Sequence, residues 1–315
     1  MRPALSIVLF TSCSGAGFAL LLLLGLGVPL GLLPTDRSFG FVTLAVAMLL
    51  AGGGLISSAF HLGHPERAWR ALSQWRSSWL SREGVFSVLT LMPATAFGVG
   101  WVIFGTTGRL FGLCGILTAV LAAATVYCTG MIYASLRPIH QWHNGWVVPG
   151  YLALGLMGGC LLLDFFVRLW SPHSFGIALL TQSAIFAAWW IKERYWRFVE
   201  TTAGPGSVAT ATSLGSRGRV RLLEAPHTEE NYLLKEMGFR VARKHARRLR
   251  LIARFAGFVL PAGLSALGLF VGGIVGGLAA SMAILGGALG LLAERWLFFA
   301  EAKHTVMLYY GDEVV

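Results

Sequence analysis

The run LIARFAGFVLPAGLSALGLFVGGIVGGLAASMAILGGALGLLAERWLFFA, Leu251 to Ala300, decides the fold. A helix needs about 20 apolar residues to cross a hydrocarbon core, so this stretch is too long for one crossing. Its centre, GLFVGGIVGGLAAS, offers Gly272, Gly273, Gly276 and Gly277 for a tight turn with almost no polar loop. The run therefore reads as two crossings, 251–272 and 274–300. Measured the same way, the upstream sequence supplies six more, at 5–33, 39–62, 83–105, 108–133, 147–170 and 175–198. Pro29 kinks or ends the first of them. The expectation is an all-α polytopic membrane protein: one integral membrane domain over 1–315, eight spans, and a single long loop at 199–250.

Composition agrees. Hydrophobic residues make up 56% of the 315-residue chain and charged residues 12%, against about 25% charged in soluble domains. Many of the 40 glycines fall inside the apolar runs, which suits close packing of membrane helices. The net charge of +11 is gathered between and beside spans, so it is read as topology and docking rather than as nucleic-acid binding. The links after spans 1, 3, 5 and 7 carry little beyond Arg37, Arg109 and Arg168. Those after spans 2, 4 and 6 carry Arg67, Arg70, Arg76, Arg82 and Arg137, then fourteen Lys and Arg between Lys192 and Arg254. The positive-inside rule then expects both termini and the long loop in the cytoplasm. Seven of the eight histidines fall on that side, with His173 opposite. Any chemistry is expected to be one-sided. The N-terminus shows no clear cleavage site, and a retained first helix is expected. Cys13, Cys114, Cys128 and Cys160 lie in apolar segments without CxxC spacing, so neither an iron–sulfur cluster nor a structural zinc site is expected on this chain. No pair of histidines lies deep in the spans to hold a haem.

Polar constellations crowd the basic side. SSAFHLGHPERAWRAL, Ser57 to Leu72, ends span 2 with His61, one turn after Ser57 and Ser58, before Pro65 stops the helix. Glu83 opens span 3, and Ser87 and Thr90 continue its face. The short link makes spans 2 and 3 expected neighbours, with His61 and Glu83 facing each other. Such a pair suits quinone chemistry, where a carbonyl needs a hydrogen-bond donor and each reduction takes two protons. A helix cap and a first-turn glutamate on the favourable dipole end would leave the same residues. YASLRPIHQWHN, Tyr133 to Asn144, adds Arg137, His140 and His143, which also suit an ordinary surface loop. In the long loop, APHTEENYLLKEMGFRVARKHARRLRLIARF reads as a helix capped by Thr228, with Glu229 and Glu230 in its first turn and Arg240, Arg243, Lys244, Arg247 and Arg248 toward its basic end. It would lie on anionic lipid or dock a soluble subunit. A transporter should show ionisable residues at mid-span; Asp164 is the one conspicuous candidate and lies close to the far rim, which argues against transport.

SSAFHLGHPERAWRAL, RSSWLSRE, PHTEENYLLKEMGFRVARKHARRLR and ERWLFFAEAKHTVMLYYG, with the eight-span layout, resemble the DmsC family, the membrane anchors of dimethyl-sulfoxide-reductase-type molybdoenzymes. The last two pieces look closer to the SoeC branch, anchors of quinone-linked sulfite dehydrogenases. The resemblance implies a non-catalytic anchor in a bacterial inner membrane, with molybdopterin and [4Fe-4S] clusters on partner subunits. It implies a quinone, ubiquinone or menaquinone, as bound substrate near His61 and Glu83. Arg67, Tyr133, Arg137 and His140 follow from position alone. His64 stands where better-known anchors have a small residue. Sulfite oxidation is the expected reaction. A dimethyl-sulfoxide or related reductase oxidising menaquinol is the alternative, and a transporter or passive scaffold the reading from another class.

Overall fold

The computed structural model describes residues 3–60, 64–171, 174–221, 223–224, 229, 231, 237 and 241–312, leaving aside the side chains of 65 and 241–244. Among the described residues, eight helices are long and apolar enough to cross a membrane. They are α1 (Leu5–Gly27), α2 (Arg37–Ala59), α3 (Trp79–Gly98), α4 (Arg109–Ala134), α5 (Val147–Trp170), α6 (Phe175–Thr201), α7 (Val241–Arg254, continued as Leu260–Phe270) and α8 (Gly273–Ala300). Two of them contain wide π turns: Val99–Phe104 extends α3, and Phe255–Val259 joins the halves of α7. The chain is all-α. The end of the bundle holding the 60–78, 135–146 and 202–240 links is called here the basic end.

Helix α1 is the hub. Lipid tails are as apolar as leucine, so helices associate in a bilayer by close packing, which small residues permit. α1 turns a different small residue toward each of three neighbours: Gly17 to Ala47 and Ala51 of α2, Gly25 to Gly115 of α4, and Gly15 to Gly155 of α5. It also touches α8. A second close approach, Gly257 against Gly290, sets α7 on α8. The first span is shorter than the 5–33 expected, because α1 stops at Gly27 and the chain turns through Pro29.

Other expectations change. Spans 2 and 3 are not side by side along their length. They meet at the far end, where Gly40 takes the face of Trp101 and Leu44 reaches Gly98. Toward the basic end α3 lies instead against α4 and a 3-10 helix, Pro65–Gln74, with Ser81 Oγ donating to the Ala71 carbonyl. The hairpin between α7 and α8 is tighter than four glycines suggested. Gly273, at φ 64°, makes the turn, while Gly276 and Gly277 are already inside α8. Asp164 bonds Arg168 at 2.9 Å, and Arg168 Nη1 donates to the Gly268 carbonyl at 2.6 Å, so this pair straps α5 to α7. At the basic end the C-terminal segment folds back over the bundle. Trp142 Nε1 donates to the Phe298 carbonyl at 3.0 Å, and Thr305 N to the Pro138 carbonyl at 3.0 Å.

A Cβ at Gly25 would strike the backbone of Gly115, whereas one at Gly53 would meet open space. Gly25→Leu is expected to lower unfolding free energy in micelles by about 1–3 kcal/mol or more through overpacking. Gly53→Leu should leave it unchanged or raised, and equal behaviour of the two would refute the hub arrangement.

Candidate functional site at the basic end

Ser78 begins α3 as its N-cap, its Oγ accepting from Ser81 N at 3.4 Å, and this sets the phase of the helix. Glu83 then points inward and is 3% exposed. Thr129 of α4 donates to its Oε1. Deeper in the same seam lie Ser87, then Thr90 and Thr125, whose hydroxyls are 3.1 Å apart. A row of hydroxyls thus runs from the carboxyl group into the membrane between α3 and α4. One turn beyond Thr129 stands Tyr133. Its ring stacks on Tyr151 at 5.5 Å and meets Trp142, Phe298 and Phe299 edge-on.

Beyond that aromatic knot is a buried ionic cluster. Glu294 of α8 takes Lys192 of α6 on one oxygen and Arg295 on the other, the latter at 2.6 Å. All three are at most 3% exposed. Removing such charges from water costs several kcal/mol per ion, so the geometry must return most of it. The aromatic rings contribute. Lys192 Nζ sits 3.7 Å from the centre of Tyr195, and the Arg295 guanidinium 4.1 Å from that of Tyr151. Nearer the surface, Arg250 bridges Glu200 and Glu301, and Arg254 forms a two-pronged pair with Glu193 at 2.6 and 2.9 Å. Burial pushes the Glu301 carboxyl above its ordinary pKa, with Arg250 and then Lys192 pulling it back. In the sequence Lys192 counts only toward membrane topology, and Glu294 draws no attention. The usable signal was length: α6 and α8 run 27 and 28 residues, with these charges on their inner faces.

The expected site residues are only partly gathered. Glu83 and Tyr133 come together along α4. His61 lies outside the described residues, in the segment following Phe60. Its upstream companions are engaged locally, Ser57 Oγ donating to the Ser6 carbonyl and Ser58 Oγ to that of Leu55. Arg67 and Arg137 are exposed and stand away from Glu83's hydrogen bonds, and His64 pairs with Glu66 at 3.0 Å. His140 leans on Phe198 of α6, ring centres 5.1 Å apart, and its Nε2 is buried without a hydrogen-bond partner. Of the expected docking residues, Arg240 and the side chains of Arg243 and Lys244 lie outside the description, as does Thr228. Arg247 and Arg248 are exposed on α7. Among the described residues, no group of three His, Cys, Asp or Glu is placed to hold a metal.

Comparison with known proteins supplies the context. A family model described as DMSO reductase anchor subunit (DmsC) matches residues 1–223. The C subunit of sulfite dehydrogenase from Allochromatium vinosum is 31% identical, with 98% of this chain and 99% of that protein covered. The C polypeptide of anaerobic dimethyl sulfoxide reductase from Escherichia coli is 26% identical over 59% of this chain and 64% of its own length.

The ionic cluster makes an ordered prediction. Glu294→Gln leaves two buried cations without their shared anion and should cost about 3–5 kcal/mol of stability. Lys192→Met leaves the Glu294–Arg295 pair neutral and should cost distinctly less. Chemical unfolding of the two variants in micelles checks this, and the reverse order would mean that the cluster does not act as one unit.

Proposed function

Because this chain belongs to the family of DMSO reductase anchor subunits, we propose that it is the quinone-binding membrane anchor of a sulfite:quinone oxidoreductase. The observation that carries this reading is the end-to-end match to the C subunit of a sulfite dehydrogenase, which continues past residue 223 where the family match stops. Sulfite and water give sulfate, two protons and two electrons. A molybdopterin subunit would perform that step, and an iron–sulfur subunit would carry the electrons to the basic end. The basic end faces the cytoplasm in this reading, in line with the positive-inside rule.

Electrons arriving at the membrane surface need an acceptor that comes to them. A quinone does so, and it takes two protons with two electrons. His61 donates a hydrogen bond to one quinone carbonyl and Glu83 passes protons, its place fixed by Thr129. Tyr133 backs the carboxyl group from α4. The isoprenoid tail enters between α2 and α3, whose packing is concentrated at the far end. Arg67, Arg137, Arg247 and Arg248, exposed around the same end, present positive charge to the docking subunit. The match to a dimethyl sulfoxide reductase polypeptide favours a second reading, in which the same site oxidises quinol and the electrons run outward.

The test compares two activities of the assembled complex. Replacing a general acid–base group should cost about 10²–10⁴-fold, so His61→Ala and Glu83→Gln are each expected to lower sulfite-dependent quinone reduction on that scale. Sulfite oxidation with a soluble artificial acceptor should persist. Loss of both activities together would remove the site from these residues, and activity with dimethyl sulfoxide but not sulfite would select the second reading.

A further inference from the structure

Away from the Glu83 seam, a mostly polar cavity of about 420 Å³ opens at the basic end between α6 and α7. Arg194, Arg197 and Arg254 line it, with Trp190 and Trp196 beside them. Its two carboxylates are already neutralised, Glu193 by Arg254 and Glu200 by Arg250. Arg194 and Arg197 are exposed, and no carboxylate among the described residues pairs with either. The lining residues therefore sum to about one net positive charge, with Arg194 and Arg197 the guanidinium groups that no carboxylate among the described residues engages.

Its position says what kind of anion fits. α6 has 27 residues and is about 40 Å long, more than the roughly 30 Å hydrocarbon core, so its last turns stand at headgroup depth. Arg194 and Arg197 continue the stripe of Leu179, Ser183, Phe186 and Trp190, all exposed on one face of that helix. Arg194 lies over the Trp190 ring, 5.3 Å from its centre. On the other side of the cavity, α7 carries a matching exposed stripe of Leu251, Phe255 and Val259. Trp189 stacked on Phe258 at 6.0 Å, and Gln182 Nε2 donating to the Ala262 carbonyl at 2.7 Å, close the floor between the two helices. The result is an apolar groove in the membrane that leads up to unpaired guanidinium groups.

We propose that this groove and cavity bind one anionic phospholipid, the acyl chains against Phe186, Trp190 and Phe255 and the phosphate on Arg194 and Arg197. Planar guanidinium groups hold phosphate oxygens by paired hydrogen bonds, and basic pockets between membrane helices select anionic headgroups. A soluble acidic partner would find the same charges, but it would leave the apolar stripes below them unexplained.

Native mass spectrometry of the purified full-length protein in detergent tests this, using phosphatidylglycerol and phosphatidylcholine of identical acyl chains. The wild type should retain phosphatidylglycerol preferentially. Each interfacial arginine contributes about five-fold, so Arg194→Gln with Arg197→Gln should weaken retention about 30-fold. Arg194→Lys with Arg197→Lys keeps the charge and loses the paired hydrogen bonds, so it should retain phosphatidylglycerol better than the glutamine variant and less well than the wild type, which separates charge recognition from misfolding. Equal retention of the two lipids, or retention unchanged in the glutamine variant, overturns the proposal. So does full displacement of the lipid by millimolar inorganic phosphate, since that would make the site one for free phosphate. A glutamine variant that keeps its lipid but loses a co-purifying soluble subunit also overturns it and assigns the arginines to protein docking.

Discussion

Everything in this bundle hangs on how close α1 can come to its neighbours. Dispersion between side chains fades within an ångström of separation, and a bilayer offers no hydrophobic reward for bringing one apolar helix to another. A helix in the middle of a membrane bundle therefore needs backbone-to-backbone contact on several faces at once. Gly15, Gly17 and Gly25 provide it in three directions around α1. With that centre in place, α4 and α5 have fixed positions, and the seam of α3 against α4 follows. The inward aim of Glu83 is thus set by packing that begins some distance away from it.

Where small residues fix distance, buried charges fix rotation. An apolar helix face can turn against another at little cost, but a carboxylate shared by Lys192 and Arg295 cannot. The cluster ties α6 to α8, while Arg250 and Arg254 bring in α7. The aromatic group of Tyr133, Tyr151, Trp142 and Phe298 joins this charged half of the bundle to the α3–α4 seam. The basic end therefore encloses buried charge, whereas the far end is held by glycine contacts, the Asp164–Arg168 strap, and hydrogen bonds from Trp101 to the Thr35 carbonyl and from Trp170 to the Ser38 hydroxyl.

How much of this could be read from the residues depends on what each feature requires. Apolar length shows itself in any sequence, so the eight crossings were legible, including the split of 251–300. Neighbour relations were not, because Gly25 meeting Gly115 and Gly52 meeting nothing look the same in one dimension. The short link between spans 2 and 3 suggested adjacency, yet Trp101 packing on Gly40 joins them at the end away from that link. Glu83 was legible as a carboxylate near the start of span 3, but α3 begins earlier, at Trp79, and the donation from Thr129 of α4 shows only in the fold. That Lys192, Glu294 and Arg295 form one cluster was not legible, since charges near span ends are common and cheap in water. Only the burial of Lys192 against Glu294 and Arg295 shows that these ones are far from it.

The π turn Phe255–Val259 has a consequence for how α7 is built. Such a turn takes up one more residue than an α-helix would over the same rise. It therefore resets the angular phase between the two halves of α7. The half before it aims Arg250 and Arg254 at carboxylates, and the half after it opens on Pro261, whose missing N–H the looser turn accommodates. The two faces are consequently independent of each other. The turn also carries Gly257 against Gly290 and Phe258 against Trp189, so the extra residue sits where α7 makes its closest apolar contacts.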